Sequence, residues 1–131
     1  MKAIAPLVIA LALTGCVAPP PPGPLGDSWG GRGSALSLDA GGGRLEYDCA
    51  AGTIDEPLRP DAAGRFAVGG THTPGQGGPD RIDQPPASFA ARYAGTVRGA
   101  EMRLEVDVAR DLHLGPFTLR RGVDPVLLRC L

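Results

Sequence analysis

Residues 101–108 read Glu101-Met102-Arg103-Leu104-Glu105-Val106-Asp107-Val108, four charged positions alternating with four apolar ones. Because successive side chains of a strand point to opposite faces, this pattern predicts a strand with one face in a core and one in water. Just upstream, Phe89, Ala91, Tyr93, Gly95 and Val97 fall on one face while Arg92, Thr96 and Arg98 fall on the other. Arg98-Gly99-Ala100 supplies a turn between the two runs, which together predict a hairpin. Shorter runs at 35–39, 44–49, 53–55, 65–68 and 112–119 are bounded by Gly, Pro or Asp. No segment carries the 3.6-residue period of a long amphipathic helix. The longest stretch without Gly or Pro, 100–114, opens on period-two alternation and is not expected to be helical. About seven strands in roughly a hundred residues predict an all-β fold, a small antiparallel barrel or sandwich.

Between two of these runs lies Gly69-Gly70-Thr71-His72-Thr73-Pro74-Gly75-Gln76-Gly77-Gly78-Pro79. Its Gly and Pro content predicts an exposed loop rather than a strand interior, and exposed loops on rigid scaffolds often carry function. His72, Thr73 and Gln76 are therefore candidate binding residues, with Asp80 and Arg81 nearby; the alternative is a plain connection. A phosphate-binding loop is excluded, since no Lys-Ser/Thr follows and no strand-to-helix context surrounds it.

The chain opens differently. After Met1-Lys2 an apolar run over 3–13 is far shorter than the ~20 residues a transmembrane helix needs. It ends in Leu13-Thr14-Gly15-Cys16, which resembles the lipobox of bacterial lipoprotein precursors. The resemblance implies that residues 1–15 are a cleaved signal peptide, that the Cys16 thiol carries a diacylglyceryl group, and that the protein sits on a membrane of the cell envelope. Val17, where an Asp usually retains such proteins in the inner membrane, implies the periplasmic face of the outer membrane in a two-membraned cell. The prolines of Val17-Ala18-Pro19-Pro20-Pro21-Pro22-Gly23-Pro24 fix φ and remove amide donors. Residues 16–26 thus form the lipidated cysteine and an extended tether, able at ~3.1 Å per residue to span on the order of 30 Å. Residues 27–131 remain as one extracytoplasmic domain.

A domain of this size has a modest core, and a staple would help it. With Cys16 assigned to lipid, Cys49 and Cys130 remain, an even number in an exported chain. Leu45, Tyr47 and Cys49 share one face of a strand pattern, and Val126, Leu128 and Cys130 share another. Both sulfurs are accordingly expected to face the core as one disulfide.

Charge and chemistry narrow the classes. A formal net charge of −1, with Arg120-Arg121 the only basic doublet, lacks the basic cluster and interleaved aromatics that nucleic-acid binding needs. The two histidines, His72 and His113, stand near no Gly-x-Ser-x-Gly and in no metal-ligand spacing, so no catalytic residue, metal or cofactor is assigned. His113 reads as a surface strand residue and Asp55-Glu56 as a solvated turn. Trp29, the sole Trp, is expected to plug one end of a barrel; exposed, it would read as a ligand platform.

A non-enzymatic envelope module that binds a protein or a small ligand is the reading these features favour. A hydrolase or lipid-modifying enzyme with an unrecognised site is the alternative class. Tyr47-Asp48-Cys49, Ala91-Arg92-Tyr93, Arg98-Gly99-Ala100-Glu101 and Cys130 also resemble motifs of the membrane-bound lysozyme-inhibitor lipoproteins. Phe89-Ala90 stands where that family has Ser-Gly, and Arg98 where it has Lys. The resemblance implies a third expectation, inhibition of a lysozyme.

Overall fold

The computed structural model describes residues 24–75, 87–109 and 111–128. Eight strands follow one another: β1 (Asp27–Gly31), β2 (Ser34–Asp39), β3 (Gly42–Tyr47), β4 (Ala50–Ile54), β5 (Arg65–Pro74), β6 (Phe89–Arg98), β7 (Glu101–Val108) and β8 (Leu112–Arg121). Each pairs antiparallel with the next, and β1 pairs with β8, so the sheet closes into an up-and-down barrel. Closure leaves no open sheet edge. No helix occurs among the described residues, and the 101–108 alternation is strand β7, with every second residue buried. The predicted hairpin is present, with Arg98 opposite Glu101 across Gly99-Ala100.

The interior is filled by side chains from around the ring: Trp29, Leu36, Leu45, Met102, Leu104 and Leu119 are among its most buried members. Burying each such apolar side chain contributes about 1.5–3 kcal/mol. Arg44, Glu46, Glu101, Arg103, Glu105 and Asp107 alternate with core residues and are exposed on the outer surface. Charged-out, apolar-in is the reverse of a membrane-spanning barrel. Two close approaches shape the wall. A Cβ at Gly70 would lie 1.8 Å from the Thr53 carbonyl oxygen, and one at Gly52 would lie 2.0 Å from the Tyr93 hydroxyl. Those glycines let Tyr93 cross the interior against β4 and β5.

The up-and-down order gives the barrel two distinct ends. At the near end the chain enters β1, and the β2–β3, β4–β5 and β6–β7 connections lie there. Leu58, from the β4–β5 connection, is buried and accepts a hydrogen bond from the Leu25 amide at 2.8 Å. The far end holds the β1–β2, β3–β4, β5–β6 and β7–β8 connections.

After β8 the chain turns back as a strap over the outside of β1. The Gly122 amide donates to the Ser28 carbonyl at 2.8 Å, Val126 donates to Gly31 at 3.0 Å, and Gly33 donates back to Val126 at 2.8 Å. The Leu128 amide then donates to Asp48 Oδ1 at 2.6 Å. The strap lies so close that a Cβ at Gly30 would stand 2.0 Å from the Val123 carbonyl oxygen. It reinforces a seam in which β1 and β8 pair at only Trp29↔Arg121 and Gly30↔Arg120.

Several expectations are corrected. There are eight strands rather than about seven, because β1 is a strand despite a sequence, Asp-Ser-Trp-Gly-Gly, that shows no alternation. Its inward face needs only Trp29, and its outward face is covered by the strap. The segment after Asp124 forms no extended strand among the described residues, only an isolated bridge between Arg32 and Val126. Val126 and Leu128 are 63% and 69% exposed, so that face does not enter the core. Cys49 does not continue the inward face of Tyr47. It lies in the two-residue β3–β4 turn, exposed, with a left-handed φ of 63°. Cys130 lies outside the described residues. Finally, residues 69–74 are not a loop: β5 runs on to Pro74, since the glycines that suggested a loop are what its approach to β4 and Tyr93 requires.

Candidate functional site

Extending β5 changes the meaning of His72. Phe66, Val68, Gly70 and His72 alternate onto the inward face, so the imidazole is buried, 3% exposed, beneath the far end of the barrel. Thr73 points the other way and bonds Ser88 at 2.7 Å between hydroxyls, while Gln76 lies outside the described residues. The expected binding set is therefore divided between the two faces of one strand.

Around His72 the interior becomes aromatic and polar. The Tyr47 ring sits 5.6 Å from the imidazole and 5.4 Å from the Phe117 ring, centroid to centroid. The Tyr93 hydroxyl donates to the Thr71 carbonyl at 2.5 Å. Tyr47 Oη, His72 Nδ1 and Ser34 Oγ are buried with no hydrogen-bond partner. Burial, helped by Tyr93 beside it, pushes the Tyr47 hydroxyl pKa above the usual tyrosine range. Burial also raises that of Tyr93. These phenols are neutral at any physiological pH.

Burial lowers the His72 pKa from its ordinary 6.5 and so favours the neutral imidazole. The unfolded chain takes up a proton near that value which the native state resists. Stability is thus fully present above it and declines as pH falls below it.

Above His72 the mouth opens into a pocket of about 460 Å³ lined by His72, Pro74, Phe89, Val108, Ala109, Asp111 and Leu112. Phe89 and Leu112, at the starts of β6 and β8, are 44% and 47% exposed. Large apolar side chains left open beside a concavity mark a binding surface more than scattered exposure does. Phe89 and Leu112 each open a strand pattern that is legible, but nothing in the sequence indicates that they stand half exposed beside a concavity. Across the mouth, the β1–β2 and β3–β4 turns are tied to the strap through Gly33, Asp48 and Leu128.

His113 is an exposed residue of β8, with Nδ1 2.6 Å from Asp107 Oδ1. That hydrogen bond is the main reason its pKa is raised. Asp55 and Glu56 are exposed, and Glu56 accepts the Gly69 amide at 2.6 Å, which gives them a role in the β4–β5 connection. Trp29 is buried in the core and is no platform: its indole NH donates to the Gly26 carbonyl at 3.1 Å, and the Arg121 guanidinium lies 4.8 Å from its ring centroid. Among the described residues no three His, Cys, Asp or Glu side chains converge as a metal site. A scan against protein-family models and searches of curated proteins and of solved structures found no match to this chain.

Proposed function

We propose that this is a lipid-anchored envelope protein that acts by binding, with the far rim of its barrel, Phe89, Val108 and Leu112 around His72, as the contact surface. The observation that carries the reading is the apolar mouth at the end of the barrel opposite the one where the chain enters β1. With diacylglyceryl on Cys16 and the proline-rich residues that follow it as a tether, ending where Leu25 and Gly26 bond to the barrel, the near end is the one linked to the membrane, and the rim is presented away from it. The outer membrane's periplasmic face is the proposed location in a two-membraned cell. The filled, charged-out barrel suits a rigid scaffold for such a rim. The residues resembling lysozyme inhibitors include Tyr47, Ala91 and Tyr93, all buried. Packing accounts for them, so the target of that family is not carried over.

A disulfide between Cys49 and Cys130 is part of the same proposal. Three observations support it: Cys49 is not a free thiol, the strap brings Leu128 onto the side chain of Asp48, and Cys49 occupies a left-handed conformation that costs an L-residue roughly 1–2 kcal/mol. The bond would lock the strap over the seam. Non-reducing peptide mapping is expected to recover Cys49 joined to Cys130, and Cys49→Ser to lose about 2–4 kcal/mol of stability. Two freely alkylated thiols in exported protein would refute the pairing.

The binding reading is tested at the rim. Phe89→Ser combined with Leu112→Ser removes two half-exposed side chains, so the melting temperature should fall by only a few degrees. Chemical crosslinking in intact cells should then lose the envelope partners captured by the unaltered protein. Undiminished capture would exclude the rim as the contact surface.

A further inference from the structure

We infer that the far-end pocket takes a small uncharged amphipathic ligand, an apolar aryl or alkyl body carrying one hydroxyl group that hydrogen-bonds the His72 imidazole. This rests on the binding reading above and specifies its ligand. The pocket, at about 460 Å³, is within the ~300–1,000 Å³ of small-molecule sites and occupies a barrel mouth, where such sites recur. Pro74, Phe89, Val108, Ala109 and Leu112 offer apolar contact, and Asp111 at the border disfavours an anion. The imidazole beneath lies beside the Tyr47 ring, 5.6 Å away, but no hydrogen bond joins its Nδ1 to the Tyr47 hydroxyl, which is likewise buried and unpaired. Only 3% of His72 is exposed, and its Nδ1 has no partner. A buried polar atom left unpaired is costly, so a ligand that supplies the missing bond gains more than its apolar area alone provides.

A hydroxyl is suited to this because it both donates and accepts, and so pairs with either tautomer of a neutral imidazole. The lowered pKa of His72 is consistent with a neutral ring. An anionic headgroup would meet Asp111 with no cationic side chain among the residues that line the pocket, and a charge of either sign buried against the ring would bear the cost of desolvation.

The chain from Val17 onward contains every strand of the closed barrel and its core, and is the protein for the test. The probes are p-cresol and toluene, which share a shape and differ by one hydroxyl. His72 and His113 are the only histidines, so two imidazole NMR signals report the site and an exposed reference. Titration with p-cresol is expected to move the His72 signal and leave that of His113 in place. The dissociation constant for p-cresol is expected to be about fivefold or more below that for toluene, one net neutral hydrogen bond.

His72→Phe should abolish the preference while still binding toluene. If that variant fails to fold, the two probes on the unaltered protein decide the matter alone. Equal affinity for both probes, or an unmoved His72 signal at saturating p-cresol, overturns the inference. Rim variants that still lose their crosslinked partners in that case leave the binding reading standing with a protein side chain as occupant. A clear p-cresol preference combined with undiminished partner capture supports the ligand and overturns the protein-docking role of the rim.

Discussion

Replacing Trp29 by alanine is expected to lower the unfolding free energy by about 3–5 kcal/mol, the cost typical of emptying a large aromatic site. Against the roughly 5–15 kcal/mol that holds a domain folded, that loss is severe. Trp29 is buried in the core and supplies the inward face of β1, a strand otherwise made of Asp, Ser and Gly. It is also one of the two β1 residues registered against β8 at the barrel seam. Removing it leaves a void beside the place where the ring of strands is least paired, where collapse is hard without opening the seam. Arg121→Gln, which removes the cation over the indole ring and its 3.6 Å ion pair with Asp27, should cost about 1 kcal/mol or less because both contacts are partly in water. Urea unfolding of the three proteins measures both effects. A Trp29→Ala loss near that of Arg121→Gln would mean that β1 is not a full member of the barrel.

The second large effect concerns location. Cys16→Ser is expected to abolish incorporation of labelled fatty acid and to leave the chain as unprocessed precursor, because a hydroxyl does not replace the thiol on which the lipid is carried. The anchor proposed at Cys16 would be strong for a physical reason: at ~0.8 kcal/mol per buried CH₂, one acyl chain holds a protein marginally and two or three hold it stably. A Cys16→Ser variant that still takes up label and matures at the normal size would remove the lipoprotein assignment, and with it the argument for which end of the barrel lies nearer the membrane.

Most of the fold was legible from alternation, and the exceptions have a common cause. Strands β6 and β7 could be read residue by residue, since one face meets core and the other meets water. β1 could not, because its outward face meets the strap instead of solvent, and Gly30 is needed there where a polar residue would otherwise signal a strand. The second half of β5 is hidden for a related reason. Gly69 and Gly70 look like punctuation, yet at Gly70 the missing side chain makes room for the Thr53 carbonyl and the Tyr93 ring. Both contacts are non-local, so no window of sequence contains them.

The candidate site is hidden in the same way. The glycines around His72 suggest an exposed loop, whereas the residue is the buried floor of a pocket whose rim, Phe89 and Leu112, comes from two other strands. Cys49 shows the opposite failure: the alternation through Leu45 and Tyr47 was sound, but the strand ends at Tyr47, and Cys49 belongs to the turn that meets the strap.

If the far end of the barrel does the binding, one photoreactive side chain placed at each end will distinguish the two. A benzophenone amino acid at position 112 sits at the far rim; at position 62, in the exposed β4–β5 connection, it sits at the near end. After irradiation of intact cells, position 112 is expected to yield discrete crosslinked species and position 62 to yield none of them. The same species from position 62, with none from position 112, would contradict the account.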